Sequence, residues 1–87
     1  MYVILVYDIE EKRVAKMLKL CRRYLNWIQN SVFEGEMTNV KLKTLIQEAL
    51  QIMDEEKDSL IIFKSRDEKW LDKQVVGKEK NDLGNLL

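Results

Sequence analysis

The segment Tyr2–Tyr7, YVILVY, restricts the fold more than any other part of the chain. Six apolar or aromatic residues follow one another, several of them β-branched. A membrane helix needs about 20 such residues, so this run is far too short to span. It reads as a strand with neighbours on both sides and cover on both faces. The next residue is Asp8. A carboxylate leaving such a strand is ordinarily a turn residue or the cap of a following helix. The other reading is that it emerges where an ion can meet it.

Beyond Asp8 the period changes. Val14, Met17, Leu18, Cys21, Leu25 and Ile28 recur at three- and four-residue steps, predicting a helix from about Lys12 to Ile28. Lys12, Lys16, Lys19 and Arg23 repeat at the same steps on the opposite face. Residues 27–37, WIQNSVFEGEM, form a second β segment, either one bent strand or a short hairpin, with Asn30 and Gly35 as turn or bulge candidates. Alternation sends Val32 and Glu34 one way and Ser31, Phe33 and Gly35 the other. Thr38 or Asn39 caps a second helix reaching about Met53, with Leu42, Leu45, Ile46 and Ala49 on its apolar face. Residues 54–58, DEEKD, read as a solvated turn, and Ser59–Lys64 as a further strand.

The order predicts an α+β, ferredoxin-like βαββαβ unit over residues 1–64, an antiparallel sheet with two helices on one face. Its other face would be bare, so a homodimer closing over that face is expected. Residues 65–87 form a tail. A β-prone piece near Gln74–Gly77, with Val75 and Val76, is expected to add a strand to a sheet edge, docking on the partner protomer.

Absences narrow the chemistry. The 87 residues include no histidine and one cysteine, Cys21. Histidine-based nucleophile pairs, histidine-ligated metals and thiolate zinc sites are therefore excluded. Cys21 reads as a buried free thiol, consistent with a reducing cytoplasm. No signal peptide pattern precedes Tyr2, so a cytoplasmic location is expected. Formal net charge is zero, yet Glu10–Tyr24 holds six basic residues against two acidic ones. The first helix is a basic element on a mildly acidic body, and neutrality overall gives no licence to infer nucleic-acid binding from composition.

In a dimer, Asp8 would meet its symmetry mate near the two-fold axis. Two ionised carboxylates held close repel, so one takes a proton or a cation sits between them. Mg²⁺ typically uses one or two protein carboxylates and fills its shell with water and phosphate oxygens.

The segments MYVILVYDI, KRVAKMLKLCRRY, IQNSVFEGEMT and DSLIIFK, in this order and spacing, resemble the CRISPR-associated Cas2 family, the small subunit of the spacer-acquisition machinery. KQVVGKEK, residues 73–80, is similar to that family's final strand and tail. The resemblance implies a homodimer with exchanged last strands, Asp8 as the Mg²⁺ position, and metal-dependent endonuclease activity on RNA or DNA. It also implies a bridge between dimers of the Cas1 integrase that holds a prespacer DNA duplex. Tyr7, Asp8, Arg13, Ser31 and Phe33 match positions implicated in cleavage in that family. Where some members carry an arginine before the Ile-Gln pair, this chain has Trp27.

Each of these residues also has an ordinary role open to it. Tyr7 and Phe33 suit interface packing, with Phe33 expected in the dimer core, and Ser31 suits a bond to nearby backbone. Lys12, Arg13, Lys16, Lys19 and Arg23 suit a solvated surface, or a track for a duplex backbone. Three functions stand: a Mg²⁺-dependent endonuclease, a non-catalytic DNA-binding adaptor of the integrase, and a generic ferredoxin-like regulatory or RNA-binding module.

Overall fold

The opening run folds into β1 (Tyr2–Asp8), an inner strand, in a computed structural model that describes residues 1–81. It is followed by α1 (Glu11–Tyr24), β2 (Asn26–Gln29), β3 (Val32–Glu36), α2 (Asn39–Ile52), β4 (Ser59–Ser65) and a 3₁₀ turn at Glu68–Trp70. The antiparallel sheet has the order β2-β3-β1-β4.

Alternation along β1 assigns its two faces. Val3, Leu5 and Tyr7 point under the helices, where they join Phe33, Met17, Leu20, Cys21, Leu42, Leu45 and Ala49 in the core. Tyr2, Ile4, Val6 and Asp8 point to the other face. Register puts Phe33 opposite Leu5, and Ile61 and Phe63 opposite Val6 and Ile4. The second face therefore carries Ile4, Val6, Val32, Ile61 and Phe63, of which Ile61 is 51% and Phe63 58% exposed.

Two expectations change at the local level, and one open alternative closes. The first helix stops at Tyr24, and Leu25 turns extended to cover Gly35, where a Cβ would stand 3.1 Å from Leu25 Cδ2. Gly35 thus serves close packing inside a strand and no turn. Ile28 leaves the helical series and lies in β2, at a register shift between Trp27 and Gln29. The β segment is a hairpin whose turn uses Asn30 at φ +46°, a conformation asparagine tolerates better than most residues. The second helix begins as expected, with the Thr38 hydroxyl accepting from the Lys41 amide at 3.1 Å.

Among the described residues no strand follows Ser65, and Val76 is 88% exposed. Within the protomer the tail rests on its own chain. Lys73 Nζ donates to Glu34 Oε2 at 2.6 Å, and Asn81 donates to the Trp27 carbonyl. Glu34 lies beside the Tyr2 phenol, so the tail covers the Tyr2 end of the second sheet face and leaves the Asp8 end open. Leu86 and Leu87 lie outside the described residues.

Candidate functional site

Asp8 closes β1 and is exposed. Ser59 of β4 lies opposite it, and the β2–β3 turn stands alongside, with the Tyr7 amide donating to the Ser31 carbonyl at 3.1 Å. The cap reading fails, because the N-cap of α1 is Glu10. Asp8 also enters none of the ion pairs among the described residues. Its carboxylate is free for solvent or a ligand, on the same sheet face as the apolar patch.

That donor fits a Mg²⁺ ion only in part. Among the described residues no three acidic or thiol groups converge as a metal site. One carboxylate per chain suits an ion shared with a second copy or with phosphate oxygens.

Tyr7 and Phe33 do not join Asp8. Their rings stack on the helix side of the sheet, centroids 6.0 Å apart, with Phe33 fully buried. Phe33 therefore belongs to the protomer's own core, correcting its expected place in a dimer core, and Tyr7 is packed there too. Burial raises the Tyr7 phenol above its ordinary value, with Arg22 opposing the rise. Ser31 is half-buried at the same end of the sheet as Asp8, where its backbone carbonyl accepts from the Tyr7 amide.

Arg13 is held elsewhere. Its Nε donates to Asp58 Oδ2 at 2.6 Å, and its Nη2 donates to Asp58 Oδ1 at 3.0 Å and to Glu10 Oε1 at 2.8 Å. Asp58 also accepts from the Glu10 and Asp54 amides, both at 2.9 Å. Its side chain has no exposed surface. The solvated-turn expectation for residues 54–58 is thus corrected at Asp58. Within the run DEEKD nothing marks its last acid for burial, and only the long-range pairing with Arg13 does so. That guanidinium, with the two amides, holds the carboxyl well below the usual aspartate range.

Along α1, Lys12, Lys16, Lys19 and Arg23 are all exposed. Arg23 is bound to Glu48 and lies over the Tyr24 ring at 5.6 Å. The three lysines enter no ion pair among the described residues. Lys16, Lys19 and Arg23 rim a groove between the helices whose floor is Leu20 and Ile52.

No helix among the described residues is long and apolar enough to cross a membrane. The family model described as CRISPR associated protein Cas2 matches residues 1–73. A protein named CRISPR-associated endoribonuclease Cas2 from Dictyoglomus turgidum is 46% identical over the full length of both chains. One of the same name from Thermotoga maritima is 45% identical, again over both full lengths. A crystal structure of Cas2 superposes with a TM-score of 0.80 at 41% identity, covering 92% of this chain and 90% of that one. Streptococcus pyogenes Cas2 gives 0.79 at 29% identity, with 88% and 100% covered. With a strand-end aspartate on an open apolar sheet face and a match of this extent, the chain belongs to the CRISPR-associated Cas2 family.

Proposed function

We propose that this chain is the protomer of a homodimeric, ferredoxin-like, Mg²⁺-dependent endoribonuclease of CRISPR defence. The observation that carries the proposal is Asp8: an exposed carboxylate that caps no helix and enters no ion pair among the described residues, beside an apolar face that invites a second copy. Pairing through Ile4, Val6, Val32, Ile61 and Phe63 withdraws that surface from water, which a bare protomer cannot do. It also gives Asp8 a symmetry mate. A bound Mg²⁺, held by the two Asp8 carboxylates, would neutralise charge on a phosphodiester and acidify a bound water for hydrolysis. Relatives named endoribonucleases support RNA as the substrate class.

The test is cleavage of single-stranded RNA by wild type and Asp8→Asn, with Mg²⁺ and with a chelator. Wild type should cut only with Mg²⁺, and Asp8→Asn should not cut. A wild-type dimer inert across Mg²⁺ concentration and pH removes the enzyme reading.

A second reading rests on α1. Lys12, Lys16 and Lys19 present exposed ammonium groups along one helix face. This suits a sequence-independent track for duplex DNA in a spacer-integration complex with Cas1. Spacer acquisition that survives Asp8→Ala would make this bridging role the biological one.

A further inference from the structure

Arg13 matches a position implicated in cleavage, and a cation near a nuclease site invites a phosphate-binding role. The geometry gives it another task. Its Nε and Nη2 already grip both oxygens of Asp58, and Nη2 also reaches Glu10. The Arg13 side chain is 15% exposed and that of Asp58 not at all. Turning this fork toward a phosphate would strand a buried carboxylate without its cation.

The clamp sits directly behind the strand end. Glu10, two residues beyond Asp8, donates its amide to Asp58 Oδ1. Asp58 immediately precedes Ser59, which pairs with Asp8 across β1 and β4. Ile9, buried at 8% exposure, fixes the residue between. The backbone leaving Asp8 is therefore tied to the same residue that leads the neighbouring strand past it. Without Asp58, the Glu10 amide would be one of the donors that a helix start leaves without an intrahelical acceptor.

We infer that Asp58 and Arg13 are positioning residues: their pairing fixes the β1 exit and so the placing of the Asp8 carboxylate. Arg13 acts through Asp58 and does not touch the substrate. The role deepens the metal-site reading of Asp8 and rests on it.

Two measurements test the inference. The first is amide hydrogen exchange on the wild-type protein, which needs neither metal nor substrate. The Glu10 amide should exchange at least roughly tenfold more slowly than the first-turn amides of Glu11 and Lys12. Equal rates mean the clamp does not hold in solution, and the inference falls.

The second is Mn²⁺ binding, read by electron paramagnetic resonance, to wild type, Arg13→Gln, Asp58→Asn and the double variant. Each single change should weaken Mn²⁺ binding by about 10–100-fold, as loss of a supporting hydrogen bond commonly does. The double variant should be no weaker than the poorer single one, because both changes break one unit. KM for RNA should stay unchanged in Arg13→Gln. Multiplying losses, or a raised KM, would make Arg13 a phosphate ligand in its own right and overturn the inference.

If Asp58→Asn does not fold, Arg13→Lys replaces it, keeping the charge but losing the fork. Faster Glu10 exchange together with weaker Mn²⁺ binding supports the clamp. Weaker binding with Glu10 exchange unchanged refutes it. Failure of the underlying metal reading looks different: slow Glu10 exchange with no Mn²⁺ bound by wild type, which withdraws the positioning role as well.

Discussion

Arg13 Nε donates to Asp58 Oδ2 at 2.6 Å, joining the first turn of α1 to the residue that leads into β4. The pairing is long-range, and the Asp58 side chain is wholly withdrawn from solvent. Its folded pKa is depressed, first by the hydrogen bond from Arg13 and also by the Asp54 and Glu10 amides, against the opposing cost of burial. The unfolded state therefore takes up this proton before the native state does. The stabilisation is complete above the ordinary aspartate value of about 3.9 and fades as pH falls below it. Thermal unfolding of wild type and Asp58→Asn should differ by several degrees at pH 7. The gap should narrow steadily below pH about 4. A gap independent of pH would show that Asp58 does not carry this linkage.

Phe63 and Ile61 set the second prediction. Both are more than half exposed, on the face that carries Asp8. Burying the exposed half of one phenylalanine is worth about 1–1.5 kcal/mol, and a two-fold interface counts it twice. Phe63→Glu should therefore raise the dimer dissociation constant by roughly two orders of magnitude, since 1.4 kcal/mol is tenfold. Sedimentation equilibrium over a concentration series measures this. RNA cleavage should fall in step with the dimer fraction. A monomeric wild type, or a Phe63→Glu dimer as tight as wild type, contradicts the proposed interface.

Phe33 separates packing from catalysis. It is fully buried against Tyr7 on the helix side of the sheet, opposite the face of Asp8. Phe33→Ala should cost about 3–5 kcal/mol of stability through lost burial and the cavity left behind. Phe33→Leu keeps most of that volume and should retain the cleavage rate of wild type at a temperature where both are folded. A large loss of rate in a fully folded Phe33→Leu protein would return the ring to the reaction.

The α1 lysines are tested by salt. Replacing Lys12, Lys16 and Lys19 together with alanine removes three exposed charges that enter no ion pair among the described residues. If all three meet phosphates, the slope of log K against log salt for duplex DNA should flatten by about 2.7. An unchanged slope returns that helix face to plain solvation.

How far the sequence could be read depends on the range of the interactions involved. YVILVY announces an inner strand because six adjacent residues carry the signal, and Thr38 announces a helix start because its partner is three residues away. Ile28 continues the helical period by coincidence. The helix ends earlier because Leu25 is needed over Gly35, a contact between elements that periodicity does not contain. Alternation correctly separated Phe33 from Val32 and Glu34, but which side faces the helices follows from pairing with Leu5. Asp58 is the clearest case. In DEEKD all four acids look alike, and the choice among them is made by Arg13, 45 residues away in sequence. Asp8 was legible as a candidate because it follows an apolar strand expected beside a two-fold interface and falls on the Mg²⁺ position that the resemblance implies.

Cys21 yields the last prediction. It is fully buried in the core, and burial pushes its thiol up to about 12. The thiolate is the reactive form, so the native protein should be almost inert to a maleimide at pH 7–8. Labelling must await opening of the core, and its rate should climb steeply with added denaturant. The same shift gives an alkaline limit. The unfolded thiol ionises near 9.0 while the native one keeps its proton, so stability should decline as pH rises above that value. Cys21→Ala should lose that part of the alkaline slope. Rapid labelling without denaturant would show that the Met17–Cys21 side of the core opens far more readily than its packing implies.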